Sequence, residues 1–274
     1  VIRRAFADLP SRQVHYRHCG AGGAPLVMLH ASPGSSKQLE PLIAAIGATR
    51  RVFAPDTAGN GDSAKLAREA PEIADYAAAT LEFMDAIGLE TVDLYGSHTG
   101  ASIATELAIL APERVRRIVL DGIGVFSAEE RDEYLAHYAP AVAPDMIGSH
   151  LNWAFMFCRD QYLFWPWYKR GRDNARGRGL PEARALHDWT LEVLKSIDTY
   201  HLAYRASFRY RKRDRLPLVA RPVLAIATES DPLLPNTRDA IELVPGAALQ
   251  IVPNWSSPGA MAEIAATIGA FLDG

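Results

Sequence analysis

Six short apolar runs dominate this 274-residue chain: PLVMLH (25–30), RVFAP (51–55), TVDLY (91–95), RIVLDGIG (117–124), PVLAIATESD (222–231) and ALQIVP (248–253). A strand that is apolar along its whole length is covered on both faces, and such strands belong to parallel sheets whose crossovers are helices. Helical patterns do separate these runs. Residues 36–47 carry Leu39, Leu42, Ile43 and Ile46 at helical spacing and close on Gly47. Residues 71–88 open on Pro71, place Ile73, Tyr76, Ala77, Leu81, Met84 and Ile87 on one face, and close on Gly88. Further helices are predicted over 101–111, near 235–243 and over 259–272. RRAFADL and RQVHYRHC, near the start, read as two more strands on one edge. The fold class that follows is α/β, a mainly parallel sheet flanked by helices.

Between residues 125 and 215 the alternation stops. Helix-like stretches replace strands, and eight of the sixteen residues from Trp153 to Tyr168 are aromatic. An inserted helical region is predicted there, with residues 1–124 and 216–274 forming the core. Rings in such an insertion serve its own packing and the walls of an apolar pocket, and Trp153, Phe157, Tyr162 and Trp165 are the predicted pocket residues.

A net charge of −3 gives no global pull towards nucleic acid or an anionic membrane, and no apolar run reaches the roughly 20 residues of a membrane span. Cys19 and Cys158 lie far apart and have no metal-ligand spacing, which reads as two packed thiols in a reduced protein. The opening VIRRAFADLPSRQV has no long apolar core of the signal-peptide kind. A cytoplasmic protein, monomeric or homodimeric, that takes a small molecule without cofactor or metal is the expectation.

Three motifs narrow the chemistry. HASPG (30–34) follows the first buried run, DTAGNGDS (56–63) the second, and GSHTG (96–100) sits at the turn from the third run into its helix. Together they resemble the α/β-hydrolase superfamily over nearly the whole chain. The first is similar to that superfamily's His-Gly-x-Pro loop with Ala31 for glycine, the second to its Asp-x-x-Gly-x-Gly-x-Ser loop, and the third to its nucleophile elbow. The resemblance implies an α/β-hydrolase fold with a helical cap over 125–215 and an oxyanion hole of the backbone N–H groups of Ser32 and Thr99.

The elbow departs from the pattern. Its tight turn needs small residues two before and two after the nucleophile. Around His98 these are Gly96 and Gly100; around Ser97 they would be Tyr95 and Thr99. His98 therefore occupies the nucleophile's position and Ser97 is not a displaced nucleophile. The second departure is the C-terminal loop NWSSPG (254–259), which has Ser256 and Ser257 near the usual place of the catalytic histidine; the chain's last histidine is His201. Asp231 matches the usual triad acid, and Asp121 is the less usual location for it. A standard Ser-His-Asp hydrolase is excluded, as is chemistry that needs a carboxylate nucleophile at position 98.

Two readings follow. In the first, His98 acts as general base or nucleophile in ester or lactone hydrolysis, or in related lyase chemistry, since imidazole changes charge near neutral pH. A variant of it has His98 activate Ser257 or Ser256 across the pocket. In the second, the chain is a hydrolase-fold small-molecule-binding protein with a degenerate triad. Asp56 reads as a turn residue. His30 reads as a loop histidine with a place at the edge of the substrate site. Asp231 reads equally as an orienting acid or a helix cap. The basic runs KRGRDNARGR (169–178) and RYRKRDR (209–215) read mainly as solvated faces, with recognition of a substrate carboxylate as the minor alternative.

Overall fold

A computed structural model describes residues 1–274. One eight-stranded sheet organises the chain: β1 (Arg3–Leu9), β2 (Arg12–Cys19), β3 (Leu26–Leu29), β4 (Val52–Pro55), β5 (Val92–Ser97), β6 (Val115–Asp121), β7 (Val223–Thr228) and β8 (Ala248–Val252). Their spatial order is β1-β2-β4-β3-β5-β6-β7-β8. β1 and β2 pair antiparallel at one edge and β2 meets β4 antiparallel, while all later pairings are parallel. The two opening segments are therefore the edge strands expected of them.

The two-residue period of a strand sends alternate side chains to opposite faces. Val27 and Leu29 of β3 join one core cluster, together with residues of α2 (Ile73–Ala86), α3 (Thr99–Leu110) and α9 (Leu234–Glu242). Leu26 and Met28 of the same strand join the other, with α1 (Glu40–Ile46) and α10 (Ala260–Asp273). Ile118 and Leu120 against Val119 in β6, and Val223 and Ala225 against Leu224 and Ile226 in β7, divide in the same way. Fully apolar runs are required because both faces are covered.

Boundaries shift for local reasons. The helix read from Pro71 begins at Ile73, where Glu72 and Asp75 form a reciprocal cap and the Glu72 N–H donates to Asp75 Oδ2 at 2.7 Å. The pattern over 36–47 divides into a tight turn at 36–39 and α1, whose first turn holds Pro41, a position where the missing N–H costs nothing. β6 stops at Asp121 and β7 at Thr228, short of the predicted 124 and 231.

Five helices lie between β6 and β7: α4 (Ala128–His137), α5 (Ser149–Leu163), α6 (Ala183–Lys195), α7 (Tyr200–Arg209) and α8 (Lys212–Arg215). The first four, α4 to α7, share a cluster of 13 buried residues, seven of them aromatic. α7 contributes to two cores at once. Tyr200, Tyr204 and Phe208 enter this cluster, while Ala203 and Ala206 enter the cluster under the sheet. No helix is long and apolar enough to cross a membrane.

Candidate active site

The turn from β5 into α3 carries His98 at φ 50, ψ −102, the one non-glycine residue of the chain with positive φ. Such backbone costs of order 1–3 kcal/mol and persists only where the surroundings hold it. Here the surroundings are backbone. A Cβ on Gly96 would meet Gly100 O at 2.3 Å, and one on Gly100 would meet Leu29 O at 2.2 Å. Those approaches press the turn against β3 and lift His98 clear, with its side chain 38% exposed.

His98 opens into a cavity of about 940 Å³ between the C-terminal ends of the strands and the inserted helices. Asp231, 9% exposed, stands opposite, its Oδ2 3.6 Å from His98 Nε2. That separation is an ion-pair contact too long for a hydrogen bond. The other oxygen, Oδ1, accepts from the Leu233 N–H at 2.8 Å and fixes the carboxylate at the start of α9. Asp231 thus both caps a turn and faces His98. Gly122 makes this possible, because a Cβ there would lie 2.7 Å from Asp231 Oδ2 and 2.9 Å from His98 Nε2. The sequence carried a signal for it, a glycine directly after an apolar strand, that the reading of 117–124 as continuous strand passed over.

Ser32 and Thr99 both line the cavity, and their backbone N–H groups donate to no group of the protein. Thr99 is the first residue of α3, where N–H groups have no intrahelical acceptor. The buried Ser32 hydroxyl is also without a partner.

Asp121, at the end of β6, lines the same cavity and accepts from the Tyr95 hydroxyl at 2.5 Å. Burial pushes its carboxyl up to about 6; Tyr95 and the nearby His98 oppose the rise, and Asp231 adds to it. An aspartate in an unfolded chain ionises near 4, so from about pH 4 to about pH 6 the unfolded chain releases a proton that the folded chain keeps. Stability therefore falls as pH rises through that window. Asp121→Asn retains an acceptor for Tyr95 and is expected to exceed the wild type by about 2–3 kcal/mol near neutral pH, with the gain vanishing below about pH 4. Urea unfolding at both ends of the range measures it.

The remaining predicted residues divide. Tyr162, Trp165 and Ser256 line the cavity; Ser257 does not, and its N–H is spent on Asn254 O at 2.8 Å. Of the two loop serines considered as partners of His98 across the pocket, Ser256 is the one that shares the cavity with it. Trp153 and Phe157 face inward, stacked at 4.7 Å and packed on Tyr200, because the inserted helices need a core of their own. His30 is buried behind the loop and does not line the cavity. Its Nδ1 is 2.8 Å from Ala31 O, its Nε2 accepts from the Thr57 N–H at 2.9 Å, and burial lowers its pKa. It is a loop-bracing residue, as is Asp56, which accepts from the Ser36 and Asp62 N–H groups and contacts His15.

Other walls come from outside the aromatic segment: Phe126, Tyr138, Trp189, Tyr204 and Phe208. Tyr204, Ser207 and Phe208 lie at i, i+3 and i+4 on α7, a spacing that marks one helical face. Arg176, Arg178 and Lys212 of the two basic runs line the cavity too. Arg176 donates to Gln161 O at 2.7 Å and Arg178 to Ser230 O at 3.2 Å, and neither has a carboxylate partner within ion-pair distance.

Sequence and structure comparisons agree with this architecture. The chain is 35% identical over 130 residues to 2-hydroxy-6-oxononadienedioate/2-hydroxy-6-oxononatrienedioate hydrolase 1 of Dechloromonas aromatica, covering 45% of this chain and 43% of that protein. It is 37% identical over 108 residues to a 2-hydroxymuconate semialdehyde hydrolase of Pseudomonas, covering 38% of each. These matches span less than half the length of the relatives. Among solved structures, epoxide hydrolase A from Mycobacterium thermoresistibile superposes with a TM-score of 0.77 at 21% identity, over 100% of this chain and 99% of that one. The enol-lactonase from Burkholderia xenovorans gives 0.73 at 18% identity, over 98% and 100%. At such identities the likeness is one of fold. The profile of the alpha/beta hydrolase fold family matches residues 24–255, which take in β3 to β8, the inserted helices, His98, Asp121 and Asp231, and the chain belongs to that family.

Proposed function

We propose that this chain is a cofactor-independent enzyme of the hydrolase fold that acts on a small apolar or aromatic ester or lactone, with His98 on the nucleophile elbow as its base or nucleophile. The observation that carries this reading is the strained, solvent-reachable His98 held 3.6 Å from the Asp231 carboxylate in a cavity walled by rings. With its proton on Nε2, towards Asp231, the imidazole has Nδ1 free as the basic nitrogen. It takes a proton from water, and the resulting hydroxide adds to the carbonyl carbon. The N–H groups of Ser32 and Thr99 form the oxyanion hole that holds the negative oxygen. Collapse expels the alkoxide or phenoxide, which regains the proton from the imidazolium. Ester and water are thereby converted to acid and alcohol. The hydrolase names of the partial relatives, and the lactonase among the fold neighbours, support this reaction class. The inserted helices act as the cap, supplying Tyr162 and Trp165 to the pocket.

One observation favours the second reading, a binding protein without chemistry: position 98 holds no serine and the loop after β8 holds no histidine, so the usual triad is incomplete. Hydrolysis of a panel of short aryl esters and lactones from about pH 5 to about pH 9 separates the two. Turnover is expected to rise with pH, since only the neutral imidazole can take the proton from water. The same rise in Asp121→Asn would assign it to His98 and not to the neighbouring carboxyl. No turnover above buffer with any ester or lactone would favour the binding reading.

A further inference from the structure

Lys212 opens α8 and is only 5% exposed, yet it lines the cavity. Its surroundings set it apart from the rest of its basic run. Arg209 pairs with Glu72, Arg211 with Asp214 and Arg215 with Glu106, and Arg213 stands in solvent. Lys212 is buried and forms no ion pair with a carboxylate. Its Nζ donates to Ser207 O at 2.7 Å, in the last turn of α7, where an ammonium satisfies a carbonyl that the helix leaves open. That contact accounts for one of three N–H bonds. The rings of Phe126 and Tyr210 lie 5.6 and 5.8 Å from Nζ and offer only their π faces. The nearby Glu106 is already taken, accepting from the Tyr210 hydroxyl at 2.7 Å and from Arg215 at 2.9 and 2.7 Å. Burial alone pushes the Lys212 ammonium down to about 7.

A buried ammonium facing a cavity without a counter-ion is stabilised by an anion that arrives with the ligand. Its position also orients that ligand. The Ser207 hydroxyl lies 3.2 Å from that of Ser102, which stands one helical turn beyond His98 on α3. Lys212 and His98 line the same cavity, so a molecule anchored at Lys212 has its remaining part in the space that His98 faces.

We propose that Lys212 is the subsite for a carboxylate carried by the substrate, so that the preferred ligands are aromatic or apolar carboxylates with the reacting carbonyl remote from the acid group. This inference rests on the cavity being the substrate site, as proposed above. Its test reads binding and not turnover, so that the two fail separately. Calorimetric titration of the intact chain near neutral pH compares 3-phenylpropionate with 3-phenylpropionamide, which differ in charge and little in shape. The carboxylate is expected to bind the wild type at least about tenfold more tightly than the amide. The preference should disappear in Lys212→Met and survive in His98→Ala, whatever becomes of activity there. It should also survive in Arg176→Gln/Arg178→Gln, a variant that decides the matter even if Lys212→Met does not fold. Equal binding of the two probes, or binding of neither, by the wild type overturns the proposal. So does a preference that persists in Lys212→Met or is lost with the two arginines.

Discussion

His98→Ala is expected to lower kcat for aryl ester hydrolysis by about 10²–10⁴-fold, the usual contribution of a positioned general base, while KM changes little. The asymmetry arises because the imidazole acts on the water and the tetrahedral state, whereas the ground-state ester is held by the aromatic walls. Stability supplies an independent reading of the same position. His98 is held in backbone that an L side chain rarely adopts, and His98→Gly removes that conflict. The glycine variant should therefore be as inactive as the alanine variant and yet more stable than wild type by about 1 kcal/mol or more. Ester kinetics and urea unfolding on the three proteins check both. Full activity in either variant would remove the chemistry from position 98.

Gly100→Ala should disrupt the turn severely. Its new Cβ meets Leu29 O at 2.2 Å, Leu29 C at 2.6 Å and His30 O at 2.8 Å, all backbone atoms of β3 and the loop that follows it. No rotamer change relieves contacts of this kind. α3 must move off the sheet, which breaks the packing of Ala101, Ala104 and Ala108 in the larger core cluster. A destabilisation of at least about 4 kcal/mol is expected, beyond ordinary overpacking, and the midpoint of urea unfolding measures it. Gly88→Ala offers the contrast: nothing lies within 4 Å of its added Cβ. Its cost is confined to the positive φ of the helix end, about 1 kcal/mol.

Legibility in the sequence followed the reach of the forces involved. β3, β5 and β6 were readable because a strand buried on both faces must be apolar throughout, and Gly96 and Gly100 because a turn that tight admits no other residue. His98 and Asp231 could be placed from their positions in motifs. The inserted helices resisted the same treatment. Trp153, Phe157, Tyr162 and Trp165 look alike in sequence, and only three-dimensional packing decides that the first two fill the helical core and the last two face the cavity. Lys212 was hidden for a related reason. In a run of five cations, nothing local distinguishes the one whose partners are all engaged elsewhere.

The double role of α7 sets a dimension of the molecule. Ala203 and Ala206 face the sheet side, and Tyr204 and Phe208 face the space above His98. The two methyl side chains let the helix axis settle close to α3, and the rings on its far side then project a fixed distance over the floor. Headroom above the imidazole is thus determined by the smallest residues of the helix, on the side that no ligand touches. Enlarging either alanine would raise the ceiling without altering a wall, so the size of molecule admitted and the chemistry done on it are governed by separate residues.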